Sequence, residues 1–304
     1  MIKEQSKKNT ASFASENDIR SKTPRILDIL LLDRTTSTQK VPKNIIWANE
    51  NYIKYGLRKY AATSQIKPEL ITGNYESLIM PRALKTKEQK KQRTKSKAEV
   101  FTPLRIVKKQ NDIVDKNIKN DNLESYIKYK WLEITCGEAP YMATRYDMET
   151  GKFVPLKRRV GFLDRKLMRI NSEISDKAVW QTLVESAFKA SYGFEWNGDS
   201  LLLARENLLY TYCDYYFEKW CKKPGMILVE KIAEIISYNV FQMDGQKYII
   251  PLSEKKVLIE DMQFSMFEPD EPNEKWRIIP GRRVKIMNWD TKKMEFFDKG
   301  VKKT

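Results

Sequence analysis

Histidine is absent from the 304 residues of this chain, and that absence excludes more chemistry than any other feature. No imidazole can act as a general base, sit in a Ser-His-acid triad or ligate zinc. Cysteine is nearly as scarce. Cys136, Cys213 and Cys221 form an odd trio at uneven spacing, which argues against a disulfide framework and fits a reducing, cytoplasmic compartment. Apolar runs are short, and none approaches the roughly 20 residues needed to span a bilayer. The N-terminus is polar rather than leader-like, so no membrane partner is expected. Internal repeats and sustained heptads are also missing.

What is present is charge. Lysine and arginine total 56 against 40 acids, a net charge of +16, which favours an acidic partner, with double-stranded DNA the leading candidate. The excess is uneven. Residues 85–97 are almost purely cationic, and Lys157-Arg158-Arg159 and Arg282-Arg283 add smaller clusters. A solvated linker is the competing reading of the long run.

Residues 1–22 are polar and read as a disordered tail. A short apolar helix is expected over 26–32, and Ile66, Leu70 and Ile71 can pack a second. Strands are expected over 131–134 and 159–163, with a helix opening at Tyr141 between them. Helices are expected over 176–190 and 200–221, where Val179, Leu183, Ala187 and then Leu201, Leu208, Tyr212 recur at helical spacing. Pro224-Gly225 breaks the chain before a third helix carrying Ile232, Ile235 and Ile236. A strand at 239–245 ends near Asp244, a Pro-rich loop follows at 269–272, and a hairpin covers 284–297. Alternating strands and helices predict a doubly wound α/β sheet.

Three short segments carry chemistry. In Trp131-Leu132-Glu133-Ile134-Thr135-Cys136-Gly137-Glu138-Ala139-Pro140-Tyr141 an apolar run ends in an acid and a tight turn, as where an α/β sheet meets a ligand. Phe101-Thr102-Pro103 lies before it, and Gly161-Phe162-Leu163-Asp164 after it. In this order the segments resemble the cofactor-binding motifs of the adenine-specific amino DNA methyltransferases. The resemblance implies a Rossmann-like core that binds S-adenosylmethionine. Phe101, Thr102 and Pro103 would fold over its methionine end, and Glu133 would hold its amino-acid part beside the Cys136-Gly137 turn. Asp164 would take the ribose hydroxyls, and Asp244 the adenine amine. Family members usually place a Glu two positions after the motif glycine; that slot is Leu163 here, and the acid is Asp164.

The family's catalytic Asn/Asp-Pro-Pro-aromatic tetrapeptide is missing. Asn288 and Trp289, an amide and a ring at a strand end, are the nearest equivalent and the catalytic candidates. Further runs, among them Asn44-Ile45-Ile46-Trp47-Ala48, Leu202-Leu203-Ala204-Arg205-Glu206-Asn207 and Ile235-Ile236-Ser237-Tyr238-Asn239, resemble stand-alone bacterial proteins described as restriction endonuclease subunit M. That implies a restriction–modification setting, with a specificity or endonuclease subunit as a further partner. The expected organisation is a small, basic, mostly helical N-terminal region over 1–98 and a methyltransferase-like domain over 99–304, with no separate sequence-reading domain. Methyl transfer to an adenine amine in DNA is the leading activity. A catalytically silent subunit that keeps the shape is its rival. A nuclease built on Asp270, Glu274 and Lys275 is disfavoured, because those residues lie too close together for two adjacent strands.

Overall fold

The computed structural model describes residues 23–81, 102–258 and 276–299, with Arg20 and Lys85. Its centre is a parallel sheet of three strands, β1 (Trp131–Glu133), β2 (Ser191–Glu195) and β3 (Val240–Gln242), in the order β1-β2-β3. Each crossover is helical. Between β1 and β2 run α4 (Phe162–Glu173) and α5 (Lys177–Lys189); between β2 and β3 run α6 (Gly198–Trp220) and α7 (Met226–Asn239). Parallel strands need such crossovers, because no tight turn returns the chain to the same strand direction. The molecule is therefore of mixed α/β class.

Most of the predicted elements are in place. Asp176 caps α5 by accepting hydrogen bonds from the Ala178 and Val179 N–H groups, which satisfies two of the donors left open at a helix start. α6 is buried on nearly every side, which explains its apolar and aromatic composition. It also carries Arg205, fully buried, whose guanidinium donates to the carbonyls of Leu30, Leu32, Ser237 and Val240. Those carbonyls belong to α1 (Pro24–Leu31), the segment after it, α7 and the start of β3. The described N-terminal residues thus share one continuous core with the sheet helices: Ile26, Leu30, Trp47 and Ile66 are packed in the same cluster as Leu201, Tyr212 and Ile236. Helix α1, not a longer helical bundle, is the main element there; Ile66, Leu70 and Ile71 surround a single 3-10 turn at Pro68–Leu70.

Two expectations fail. Tyr141 does not open a helix, because the chain there runs through turns to an antiparallel bridge between Tyr146 and Phe153. Residues 159–163 are not a strand: Leu156–Arg158 is a 3-10 turn, Gly161 is an N-cap, and Phe162 starts α4. The reason lies in the acid. Asp164, at the third helical position, accepts the Gly161 N–H at 3.2 Å, the reciprocal half of a capping box. Phe162, Leu163, Lys166, Leu167 and Ile170 then fall on one buried face.

Lys166 on that face is 1% exposed and donates to the Tyr129 carbonyl. Burial pushes its ammonium down to about 7. Between that value and the ordinary lysine value the unfolded chain binds more protons, so this group makes stability rise with pH. We therefore expect Lys166→Met to raise the thermal midpoint by about 5 °C at pH 7. Its advantage should shrink as the pH approaches 10, as differential scanning calorimetry at several pH values would show.

Among the described residues, no helix is long and apolar enough to cross a membrane. The outer face of the sheet is covered by the hairpin of β6 (Lys285–Asn288) and β7 (Lys293–Phe296), paired as predicted. A further two-stranded ribbon, β4 (Lys255–Leu258) with β5 (Trp276–Ile279), is exposed throughout. The Pro-rich loop and the acids at 270 and 274 lie outside the described residues.

Candidate functional site at the strand ends

The carboxyl ends of β1 and β2 bring two acids to one edge of the sheet. Glu133 closes β1, and Glu195 closes the neighbouring β2, with Glu133 in register with Gly193. Residues of one strand alternate between faces, so Glu133, Gly193 and Glu195 share a face. Both carboxylates are nearly buried, at 6% and 7% exposure. Both hold the loop that leaves β1. Glu133 accepts the N–H groups of Tyr141 at 3.1 Å and Met142 at 2.9 Å, and Glu195 accepts that of Gly137 at 2.9 Å.

The loop is tightly wound. Thr135, Gly137 and Ala139 all have positive φ, at 45°, 54° and 61°, and Cys136 donates its N–H to the Phe194 carbonyl. Gly137 suits its conformation because it has no Cβ, and the space beside its Cα is open for 4 Å. Gly193 is required for a different reason: a Cβ there would stand 2.6 Å from the Met142 methyl and 3.3 Å from the Cys136 sulfur. Burial and the neighbouring carboxylates push the Cys136 thiol up, so it is a packing residue and not a nucleophile.

The electrostatics are unusual for a strand end. Burial pushes the Glu133 carboxyl up to about 8, against its two N–H donors and with help from the Glu195 charge. Glu195 is also raised by burial, with Asp199 adding to the rise and the Asn197 and Gly137 N–H groups opposing it. A carboxyl raised in the folded state makes stability that is full below its unfolded value and is lost as the pH climbs through the folded one. The unfolding midpoint of the wild type should thus fall between about pH 5 and pH 8. Glu133→Gln, which cannot ionise, should show a shallower fall in the same denaturation series.

Glu195 is also tied to the N-terminal segment. Its Oε1 accepts both the Asn197 backbone and side-chain N–H groups, and Asn197 Oδ1 accepts from Asn49. Asn49 donates in turn to Asp199, as does the Tyr52 hydroxyl at 2.6 Å.

The other candidates are distributed as follows. Phe101 lies outside the described residues; Thr102 is described, and Pro103 occupies the N-cap of α2 (Leu104–Asp115), as an extended entry to that helix requires; α3 (Leu123–Lys128) follows it. Asp164 is not at a strand end. It is fully buried under the loop, where it accepts the Thr144 N–H at 2.7 Å, the Thr144 hydroxyl and the Tyr215 hydroxyl. Asp244 stands two residues beyond β3 and caps its own turn through the Gln246 and Lys247 N–H groups.

Asn288 and Trp289 are placed elsewhere. The Trp289 indole donates to Asn239, which also binds the carbonyls of Phe188, Lys189 and Ser191. Those residues border the amino ends of β2 and β3, so Trp289 is at the edge opposite Glu133 and Glu195. Asn288 is engaged by Glu295 and by the N–H groups of Asp290 and Thr291. The two catalytic candidates therefore do not join the strand-end acids.

Glu195 is the residue that sequence reading missed. Its signal was available: Gly193-Phe194-Glu195 has the glycine-to-acid spacing that Gly161 lacked. The cationic run at 85–97 lies outside the described residues except for Lys85. No protein-family model, curated protein or solved structure matches this chain.

Proposed function

We propose that this chain is a DNA methyltransferase-like protein of a restriction–modification system, with a Rossmann-like core that binds S-adenosylmethionine at the carboxyl ends of β1 and β2. The observation that carries the reading is the pair Glu133 and Glu195, buried on adjacent parallel strands and gripping one Cys-Gly loop. In open α/β sheets ligands bind outside the carboxyl ends of the strands. The contiguous order β1-β2-β3 with helical crossovers is compatible with one half of such a fold.

The residues fit the cofactor. The open space beside Gly137 adjoins Glu195. Glu195, in place of Asp164, would accept the ribose hydroxyls, Glu133 would face the amino-acid end, and Asp244 the adenine. When bound, S-adenosylmethionine supplies an activated methyl group, whose transfer to an amine needs no histidine. The chain's contribution is then to position the acceptor and exclude water.

The catalytically silent reading has its own support: Asn288 and Trp289, the only amide and ring offered for the acceptor, stand at the opposite edge of the sheet. We propose adenine methylation in DNA as the activity, with a silent partner subunit as the second reading. Labelled S-adenosylmethionine and unmethylated genomic DNA separate them. Label on DNA from the protein alone supports the enzyme, whereas label appearing only with a neighbouring subunit supports a shared site. Absence of label under every condition leaves the silent DNA-binding or partner subunit, and absence of cofactor binding in isothermal titration would remove the enzyme.

Duplex DNA is the proposed substrate, held through phosphates. Each phosphate contact should contribute about −0.9 to the slope of log affinity against log salt. Neutralising the run at 85–97 should flatten that slope in a filter-binding series; an unchanged slope would reduce the run to a linker.

A further inference from the structure

A cavity of about 320 Å³ lies on the other face of the sheet. Leu132, Tyr192 and Phe241 alternate with the residues of the Glu133 and Glu195 face and so point away from it. The β6–β7 hairpin and the turn after it lie over the two rings: the Tyr192 hydroxyl donates to the Met287 carbonyl, and Phe297 packs 5.8 Å from Phe241 between ring centroids. The space left between sheet and hairpin is walled by the rings of Tyr192, Phe241 and Phe297, with Asn288 and Glu295 on the hairpin side and, at its exposed rim, Lys299 and Lys130, the latter 3.3 Å from Asp290. Asn288 donates to Glu295 Oε1 at 3.0 Å and fixes that carboxylate in place. Among the described residues the second Glu295 oxygen has no donor.

The lining selects its guest. A purely apolar guest would leave the second Glu295 oxygen unanswered. An anion without a ring would waste the aromatic walls and meet Glu295. A planar ring bearing an amine, joined to a phosphate, satisfies every part, and the charge of +16 draws such a polyanion to the surface. Flat rings stack on aromatic side chains in a sequence-tolerant way.

We propose that this cavity is a base-stacking site for single-stranded nucleic acid. An unpaired base lies against Tyr192, Phe241 and Phe297, its exocyclic amine donates to Glu295, and the adjoining phosphate rests on Lys130 and Lys299. The site is separate from the cofactor cleft and stands whether or not the chain binds S-adenosylmethionine.

Fluorescence anisotropy with labelled oligocytidine and oligothymidine deoxynucleotides about ten residues long tests it. Oligocytidine should bind more tightly than oligothymidine, which lacks the amine. Tyr192→Ala should weaken both by about ten-fold, the scale of one lost stacking contact. Glu295→Gln should erase the preference for cytosine while leaving thymine affinity unchanged. Lys299→Glu, on the exposed rim, should weaken both strands and lower the salt dependence. Saturating S-adenosylmethionine should not compete; competition would assign the strand to the cofactor cleft and overturn the proposal. Photo-crosslinking of the wild type with 5-iodocytidine strands, mapped by mass spectrometry, should label Tyr192 or Phe297, and this reading does not depend on any variant folding. Adducts confined to other parts of the chain, or unchanged affinity in folded Tyr192→Ala and Lys299→Glu, would overturn the proposal without touching the cofactor reading.

Discussion

Glu195→Ala is expected to weaken S-adenosylmethionine binding by about 10- to 100-fold, whereas Asp164→Asn should bind like the wild type. The magnitude follows from hydrogen bonds to a charged acceptor, which contribute about 1.5–3 kcal/mol each, at about 1.4 kcal/mol per decade of affinity. The site of the effect follows from the fold. A ribose can reach an acid only where the sheet end is open, and Glu195 ends β2 beside the open space at Gly137. Glu195 also carries donors from Asn197 and Gly137 but keeps 7% exposure at its strand end, whereas Asp164 is fully buried beneath the loop against Thr144, Gly161 and Tyr215. Glu133→Ala should also weaken binding, and by more than Asp244→Ala, since Asp244 caps its own turn. Isothermal titration of the four variants decides the matter. Loss of binding in Asp164→Asn with retention in Glu195→Ala would return the ribose role to Asp164.

Asp164→Ala should be among the most destabilising single changes in the chain, at about 3–5 kcal/mol. Its removal strands the Thr144 N–H, the Thr144 hydroxyl, the Gly161 N–H and the Tyr215 hydroxyl in the interior. A buried donor without an acceptor keeps the full cost of its lost hydration. The nearby Arg159, paired with Asp214, lowers the Asp164 carboxyl, but burial outweighs it and leaves the group raised. Asp164→Asn should therefore be mild, because an amide oxygen still receives Thr144 and Gly161 while its NH2 faces the Tyr215 hydroxyl. Thermal unfolding should place the alanine variant about 10 °C below the wild type, with the asparagine variant close to it. An alanine variant within about 2 °C of wild type would show that this hydrogen-bond set is not intact in solution.

Much of the molecule was legible in the sequence because its signals are local. Helices α5, α6 and α7 announce themselves by apolar spacing, by Asp176 as a cap and by Pro224-Gly225 as a break. The strand at Trp131–Glu133, the strand at Val240–Gln242 and the hairpin β6–β7 are marked by short β-rich runs between turns. Glu133 and the Cys136-Gly137 turn were likewise readable, since a strand, an acid and a left-handed glycine are neighbours in the chain.

What only the tertiary structure decided was which residues meet. Gly161-Phe162-Leu163-Asp164 has the composition of a strand end, yet the reach of Asp164 back to the Gly161 N–H and the burial of Leu167 and Ile170 make it a helix start. The acid that does stand beside Glu133 at the strand ends is Glu195, more than 60 residues along the chain. Parallel pairing of β1 with β2 is a non-local event, and no local preference encodes its partner. The same holds for Asn288 and Trp289. Residue type made them candidates for the cleft, but the hairpin's packing against Asn239 and the outer sheet face sets them at the opposite edge. Sequence determined the chemistry each segment carries; the strand order determined which chemistries share a site.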